Sequence, residues 1–271
     1  MSRESAPTDH SGVEVAGPPD GQPVVFVHGV VFTRKMWVPQ RDDLADDVRY
    51  VSMDLPGHGD VADGDDFRLD DAVERLDEVI EREADGRATV VGLSLGGYVA
   101  TEYARRYPEK VETLVISGSS VNLDGIMEKV TRGVSWISNK ITASSLGRRA
   151  MSGLHARFVK ALDLEERTER EVLDAGFFPR QLGKAGYEIA GRDFRAAFAA
   201  YPGPALVLNG KWDLLNRLGE EKHADAARDT TVAVIPGTGH VCNLEKPEAY
   251  SGALRALALG ESRESVEQRA D

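Results

Sequence analysis

Short apolar, β-branched runs recur along this chain, and segments of helical period separate them. The runs cover 23–29, 48–54, 88–93, 111–117, 204–209 and 231–235. They are continuously apolar rather than alternating, which is the pattern of strands buried on both faces. Helical spacing covers 67–83, with apolar residues at 69, 72, 73, 76, 79 and 80, then 95–107 up to Pro108, 217–227 and 248–259. Strands alternating with helices in this way predict an α/β fold: a mostly parallel, doubly wound sheet covered by helices on both sides. A length of 271 residues suits one large α/β domain or such a core with an insertion.

The alternation breaks after the fourth predicted strand. Residues 121–200 carry helical patterns over 123–140, 146–162, 164–175 and 184–199 and no convincing strand. They hold thirteen Lys and Arg against ten Asp and Glu, a net of +3, which leaves −15 for the rest of a chain of net −12. A helical cap over 121–200 is therefore expected on a core formed by 21–120 and 201–260. Residues 1–20 read as a flexible arm or edge strand, and 261–271 as a polar tail.

The acidity argues against nucleic acid as a partner, because phosphates require a basic face. It suits solubility at high salt, and equally an ordinary acidic surface. No run of eighteen apolar residues predicts a membrane span, and no basic-then-apolar leader opens the chain, so the cytoplasm is the expected location. The single cysteine, Cys242, excludes an intramolecular disulfide and any Cys-cluster metal site.

Gly92-Leu93-Ser94-Leu95-Gly96-Gly97 follows a predicted strand directly and opens a predicted helix. In that context G-x-S-x-G places a serine on a sharp, strained turn, where small neighbours two residues away give it room. The helix N-terminus favours negative charge beside it. A serine hydroxyl needs a base. Of six histidines, His240 lies in Pro236-Gly237-Thr238-Gly239-His240, just past the last predicted strand, where loops of parallel sheets bind ligands. His28 and His58 also follow strands and read as loop-building residues; His10 falls in the arm, His155 in the cap, and His223 on a helix surface. Asp213, in Asn209-Gly210-Lys211-Trp212-Asp213, is the candidate acid that orients His240, with Asp124 after the fourth strand as the alternative.

With these pieces in family order, the chain resembles the α/β-hydrolase superfamily, in its branch of single-domain esterases, haloperoxidase-like proteins and C–C hydrolases. The resemblance rests on Val27-His28-Gly29, Asp54-Leu55-Pro56-Gly57-His58-Gly59, Gly92-Leu93-Ser94-Leu95-Gly96-Gly97, Gly210-Lys211-Trp212-Asp213 and Gly239-His240, and runs from about residue 22 to 259. It implies a catalytic triad of Ser94, Asp213 and His240. It also implies an oxyanion hole from the backbone N–H groups of Val30 and Leu95, with no metal or organic cofactor. The chain departs from the family at Asp60, where a small residue is common, and in having little sequence before Pro23 for the first strands. Ser94 stands where dehalogenase and epoxide hydrolase relatives carry Asp, which argues against those chemistries.

The expected activity is hydrolysis of an ester or related acyl bond of a small, apolar substrate through an acyl-enzyme. C–C cleavage or acyl transfer would use the same triad. A non-catalytic binder would not need to keep all three residues. Trp136 and Phe158, with Ile137, Phe177 and Phe178, are candidates for lining an acyl pocket in the cap. For any one of them, packing onto the core is the simpler reading.

Overall fold

The computed structural model describes residues 8–62, 66–258 and 263–270, and Leu259 of the last expected core helix lies outside them. Eight strands form one sheet: β1 (Thr8–His10), β2 (Val13–Ala16), β3 (Pro23–Val27), β4 (Arg49–Met53), β5 (Ala88–Leu93), β6 (Val111–Ser117), β7 (Ala205–Gly210) and β8 (Thr230–Ile235). Their order is β1-β2-β4-β3-β5-β6-β7-β8. From β4 to β8 every neighbour is parallel, while β1 and β2 add an antiparallel hairpin at the β4 edge. The six apolar runs are the six parallel strands. The hairpin lies within the segment read as a flexible arm or edge strand, and its strands are short, of three and four residues, where Val13, Glu14 and Val15 alternate too briefly to stand out.

The helices are α1 (Val38–Leu44), α2 (Leu69–Glu83), α3 (Leu95–Arg106), α4 (Gly125–Thr142), α5 (Ser145–Lys160), α6 (Glu166–Asp174), α7 (Arg180–Ile189), α8 (Phe194–Ala200), α9 (Leu214–Ala226), α10 (Cys242–Glu245), α11 (Pro247–Ala258) and α12 (Arg263–Ala270). Strand residues alternate between two cores, as the pleat requires. Val25, Val27, Val90, Leu114, Ile116 and Val207 face the layer of α2 and α3. Val24, Phe26, Val91, Val115, Leu206 and Leu208 face the layer of α1 and α11. An aromatic group anchors the second layer, with Phe26 5.1 Å from Trp37 and 4.9 Å from Tyr50, and Trp37 5.8 Å from Tyr250. Side chains of this size contribute roughly 1.5–3 kcal/mol each on full burial.

Two expectations need correction here. The helix expected over 184–199 is two helices, α7 and α8, separated by Gly191 at φ +86°. Only α7 stays with α4; α8 returns to the core, where the Phe194 ring lies tilted 4.5 Å from Tyr98 and Phe198 is fully buried. The polar tail is, over Arg263–Ala270, a helix that buries Val266 and Ala270 beside α11.

Candidate active site

Chain order along the sheet reverses between β3 and β5. Loops leaving the carboxyl ends of strands at such a reversal open a crevice between them. Here those loops are the turn into Ser94 and the segment after His28. Ser94 holds φ 56°, ψ −117°, a conformation costly for any residue with a Cβ, and its N–H is fixed by a 2.7 Å bond to the Ser117 carbonyl. The flanking glycines are demanded by contact. A Cβ on Gly92 would lie 2.2 Å from the Gly96 oxygen, and one on Gly96 would lie 2.1 Å from the Val27 oxygen. Helix α3 therefore starts pressed against β3, with Leu95 N–H in its first turn.

His240 follows β8 and Asp213 follows β7, so both reach the same edge. His240 Nδ1–H donates to Asp213 Oδ2 at 2.7 Å. Burial works to raise the Asp213 pKa, but the bonds from His240 and Asn216 outweigh it and hold the carboxylate below its ordinary range. Asp213 occupies the N-cap position of α9, yet its carboxylate makes no capping bond there. The alternative acid, Asp124, is exposed at the start of α4. Gly118 (φ +58°) comes directly after Ser117, the residue that holds Ser94, and its α-carbon faces the His240 ring. Through it the Ser94 turn and the His240–Asp213 pair are neighbours. The His240 side chain is 47% exposed.

A buried polar layer behind this pair escaped the sequence reading. Asn216 Nδ2 donates to Asp213 Oδ2 at 2.9 Å, and Asn209 Oδ1 accepts the Gly118 N–H at 2.9 Å. Asn209 Nδ2 donates in turn to Ser120 Oγ and Glu220 Oε2, both at 3.1 Å. The available signal was an asparagine ending the apolar run of β7, since a polar residue buried at a strand end must find partners.

After β3, His28 is fully buried, and burial lowers its pKa to about 4, so the ring is neutral. Nε2 accepts the Leu55 N–H at 2.9 Å, which leaves Nδ1–H to donate to the Gly29 oxygen at 2.8 Å. The Gly29 carbonyl and the Val30 N–H share one planar trans peptide and point opposite ways. Holding the first therefore aims the second. Val31 sits at φ 77°, strained for a β-branched residue, and the Phe178 N–H ties its carbonyl at 2.8 Å. His58 lies 4.9 Å from His28 and is likewise held neutral by burial, its pKa lowered to about 3. Both histidines thus build the loops. Asp60, the departure from the family pattern, joins the same structure: its carboxylate accepts Arg34 Nη2 at 2.7 Å, and Arg34 also pairs with buried Asp54.

The other candidates have contacts of their own. Trp136 and Phe158 are 57% and 43% exposed on α4 and α5, with Lys140 Nζ 5.8 Å above the Trp136 ring. Phe177 packs 5.6 Å from Phe32, and Phe178 5.9 Å from His58. His155 stacks on Phe177. His223 is not on a helix surface: it is buried 5.7 Å from Phe198, because α9 turns that face toward α8. His10 belongs to β1. Cys242 is buried, and burial pushes its thiol pKa up. Among the described residues no group of three His, Cys, Asp or Glu is placed to hold a metal ion, and no helix is long and apolar enough to cross a membrane.

The chain is 26% identical over 247 residues to the (E)-2-((N-methylformamido)methylene)succinate hydrolase of Acinetobacter baylyi, covering 88% of this chain and 90% of that one. It is 26% identical over 265 residues to the pimeloyl-[acyl-carrier protein] methyl ester esterase of Nitrosomonas europaea, covering 90% and 98%. Its fold matches the structure of MenH from S. aureus with a TM-score of 0.75 at 19% identity, over 97% of this chain and 100% of the other. Residues 24–253 match the alpha/beta hydrolase family, and the chain belongs to that family.

Proposed function

We propose that the protein is a serine hydrolase that cleaves an ester or related acyl bond of a small substrate through an acyl-enzyme. The observation that carries this reading is the 2.7 Å bond from His240 Nδ1 to Asp213 Oδ2, beside a turn that holds Ser94 at φ 56°. Asp213 keeps His240 in the tautomer whose Nε2 is free to accept a proton. Ser94 Oγ attacks the carbonyl carbon as its proton passes to Nε2. The N–H groups of Leu95 and Val30 stabilise the charge that develops on the carbonyl oxygen. The leaving alcohol takes the proton from His240. Water, activated by the same imidazole, then releases the acid and restores Ser94. The names of the two curated relatives, a hydrolase and an esterase, support this reaction class. In this reading the cap selects the substrate, with Trp136 and Phe158 lining its acyl side.

A fluorophosphonate probe tests the reading: it labels the wild type at Ser94 and leaves Ser94→Ala unlabelled. Ser94→Ala also loses ester hydrolysis by several orders of magnitude with its fold intact. Retention of more than about a tenth of wild-type turnover would remove Ser94 from the reaction.

A further inference from the structure

Large apolar side chains are not exposed at random on this molecule. Fourteen are exposed among the described residues; nine of them lie between Ile126 and Phe158, on α4 and α5, and four between Trp212 and Leu218. Both groups leave the carboxyl edge of the sheet, α4 after β6 and α9 after β7, which is the edge that carries Ser94, Asp213 and His240.

Helix α4 is packed by its polar side. Ser135 and Ser138 are buried, and Ser135 sits against Gly183 and Gly186 of α7 so closely that a Cβ on Gly186 would lie 2.1 Å from its Oγ. The apolar residues Ile126, Val130, Val134, Ile137 and Ile141 recur at intervals of three and four and form one stripe, each 42% to 80% exposed. A surface helix ordinarily turns such a stripe inward, and a contiguous exposed apolar strip marks an interaction surface.

Charge identifies the partner. Residues 125–160 carry seven Lys and Arg and one acid, Glu128, a net of +6 in a chain of −12, so everything else sums to −18. Lys129, Arg132, Lys140, Arg149, Arg157 and Lys160 are all exposed. A second copy of the chain would bring the same +6 face to face with this one across a two-fold contact. An apolar stripe bordered by Lys and Arg has the composition of an element that lies in a membrane interface.

We propose that the α4–α5 hairpin docks on an anionic lipid surface. Its apolar stripe enters the headgroup boundary, and its Lys and Arg residues meet the lipid phosphates. The strongly acidic remainder is repelled by the same surface, which orients the carboxyl edge of the sheet toward the lipid. This docking is independent of the Ser94 chemistry.

The test is co-sedimentation of the full chain with vesicles of equal parts phosphatidylglycerol and phosphatidylcholine, against vesicles of phosphatidylcholine alone. The chain pellets with the anionic vesicles, and added salt releases it, because screening weakens the charge attraction. Each Lys or Arg near such a surface contributes about 1 kcal/mol, so Lys129→Gln with Lys140→Gln weakens partitioning about 30-fold. Ile126→Ser, at the most exposed position of the stripe, also weakens it. These variants keep wild-type hydrolysis of p-nitrophenyl acetate, and Ser94→Ala binds vesicles like the wild type, which separates this result from the hydrolase reading. The proposal is overturned by no pelleting with anionic vesicles at low salt, or by equal pelleting with phosphatidylcholine alone. Unchanged partitioning of the variants also overturns it. So does a dimer that Ile126→Ser splits, which would assign the stripe to a second copy, or retention on immobilised polyglutamate without vesicle binding, which would assign it to an acidic protein.

Discussion

Gly118→Ala isolates the position of His240 from its chemistry. The added Cβ would stand 2.7 Å from Cε1 and 3.0 Å from Nδ1 of His240, but 3.5 Å from Asp213 Oδ2. Ordinary contact begins at 3.4 Å, so the ring must retreat by 0.7 Å at Cε1 while Asp213 stays where it is. The ring is 47% exposed and has room to move outward. A misplacement of about 1 Å costs on the order of 100-fold in rate, so kcat should fall roughly 10- to 100-fold. The φ of +58° adds about 1–2 kcal/mol of backbone strain, visible as a melting temperature lower by a few degrees. The assay is steady-state hydrolysis of p-nitrophenyl acetate together with a thermal melt, repeated in a His240→Ala background. With the imidazole gone, Gly118→Ala should lower the residual rate no further. A kcat within about twofold of wild type would refute the reasoning, as would an equal loss in both backgrounds, since a true ring displacement has to act through the imidazole.

Asp213→Asn keeps the shape of the acid but removes the charge that supports the imidazolium, so turnover should fall roughly 10²- to 10⁴-fold; an unchanged rate there, with a large loss in Asp124→Asn, would move the acid to α4. Stability should fall on acidification, because His223, with its pKa lowered to about 4 by burial, stays neutral in the fold while the unfolded chain takes up a proton below about pH 6.5. That contribution is fully present above pH 6.5 and lost toward pH 4, so urea titrations at about pH 7 and pH 5 should show His223→Leu losing about 2 kcal/mol less than wild type between them. Trp136→Ala or Phe158→Ala should shift the preferred acyl length in kcat/KM across an ester series and spare a short acetate ester, whereas a uniform fall for every ester would restrict these residues to holding α4 and α5 in place.

Apolar runs of β3 to β8 were legible because each is defined by its own few residues: β-branched side chains and a length that only a two-sided strand needs. The Ser94 turn was legible for a similar reason, since Gly92 is required by the Gly96 carbonyl four residues on, although Gly96 is required by Val27 of β3. The short β1–β2 hairpin was not, because three- and four-residue strands carry too little pattern. Nor was the break at Gly191, where a helical period continues on both sides of the residue that ends it.

What the sequence by itself determined was therefore local: six strands, their helices, and a serine, an acid and a histidine each placed just past a strand end. Which groups meet was decided by the tertiary structure. The pairing of His240 with Asp213 rather than Asp124, and the Asn216 and Asn209 bonds behind it, depend on strands adjacent in space but distant in sequence. His28, His58 and His223 are neutral because of surroundings drawn from other elements, and burial cannot be read from a residue's own neighbours. On α4 the sequence supplied two distinct faces, but only packing against Gly183 and Gly186 of α7 decided that the serine face turns inward and the isoleucine face outward, because close helix approach selects small side chains over apolar ones.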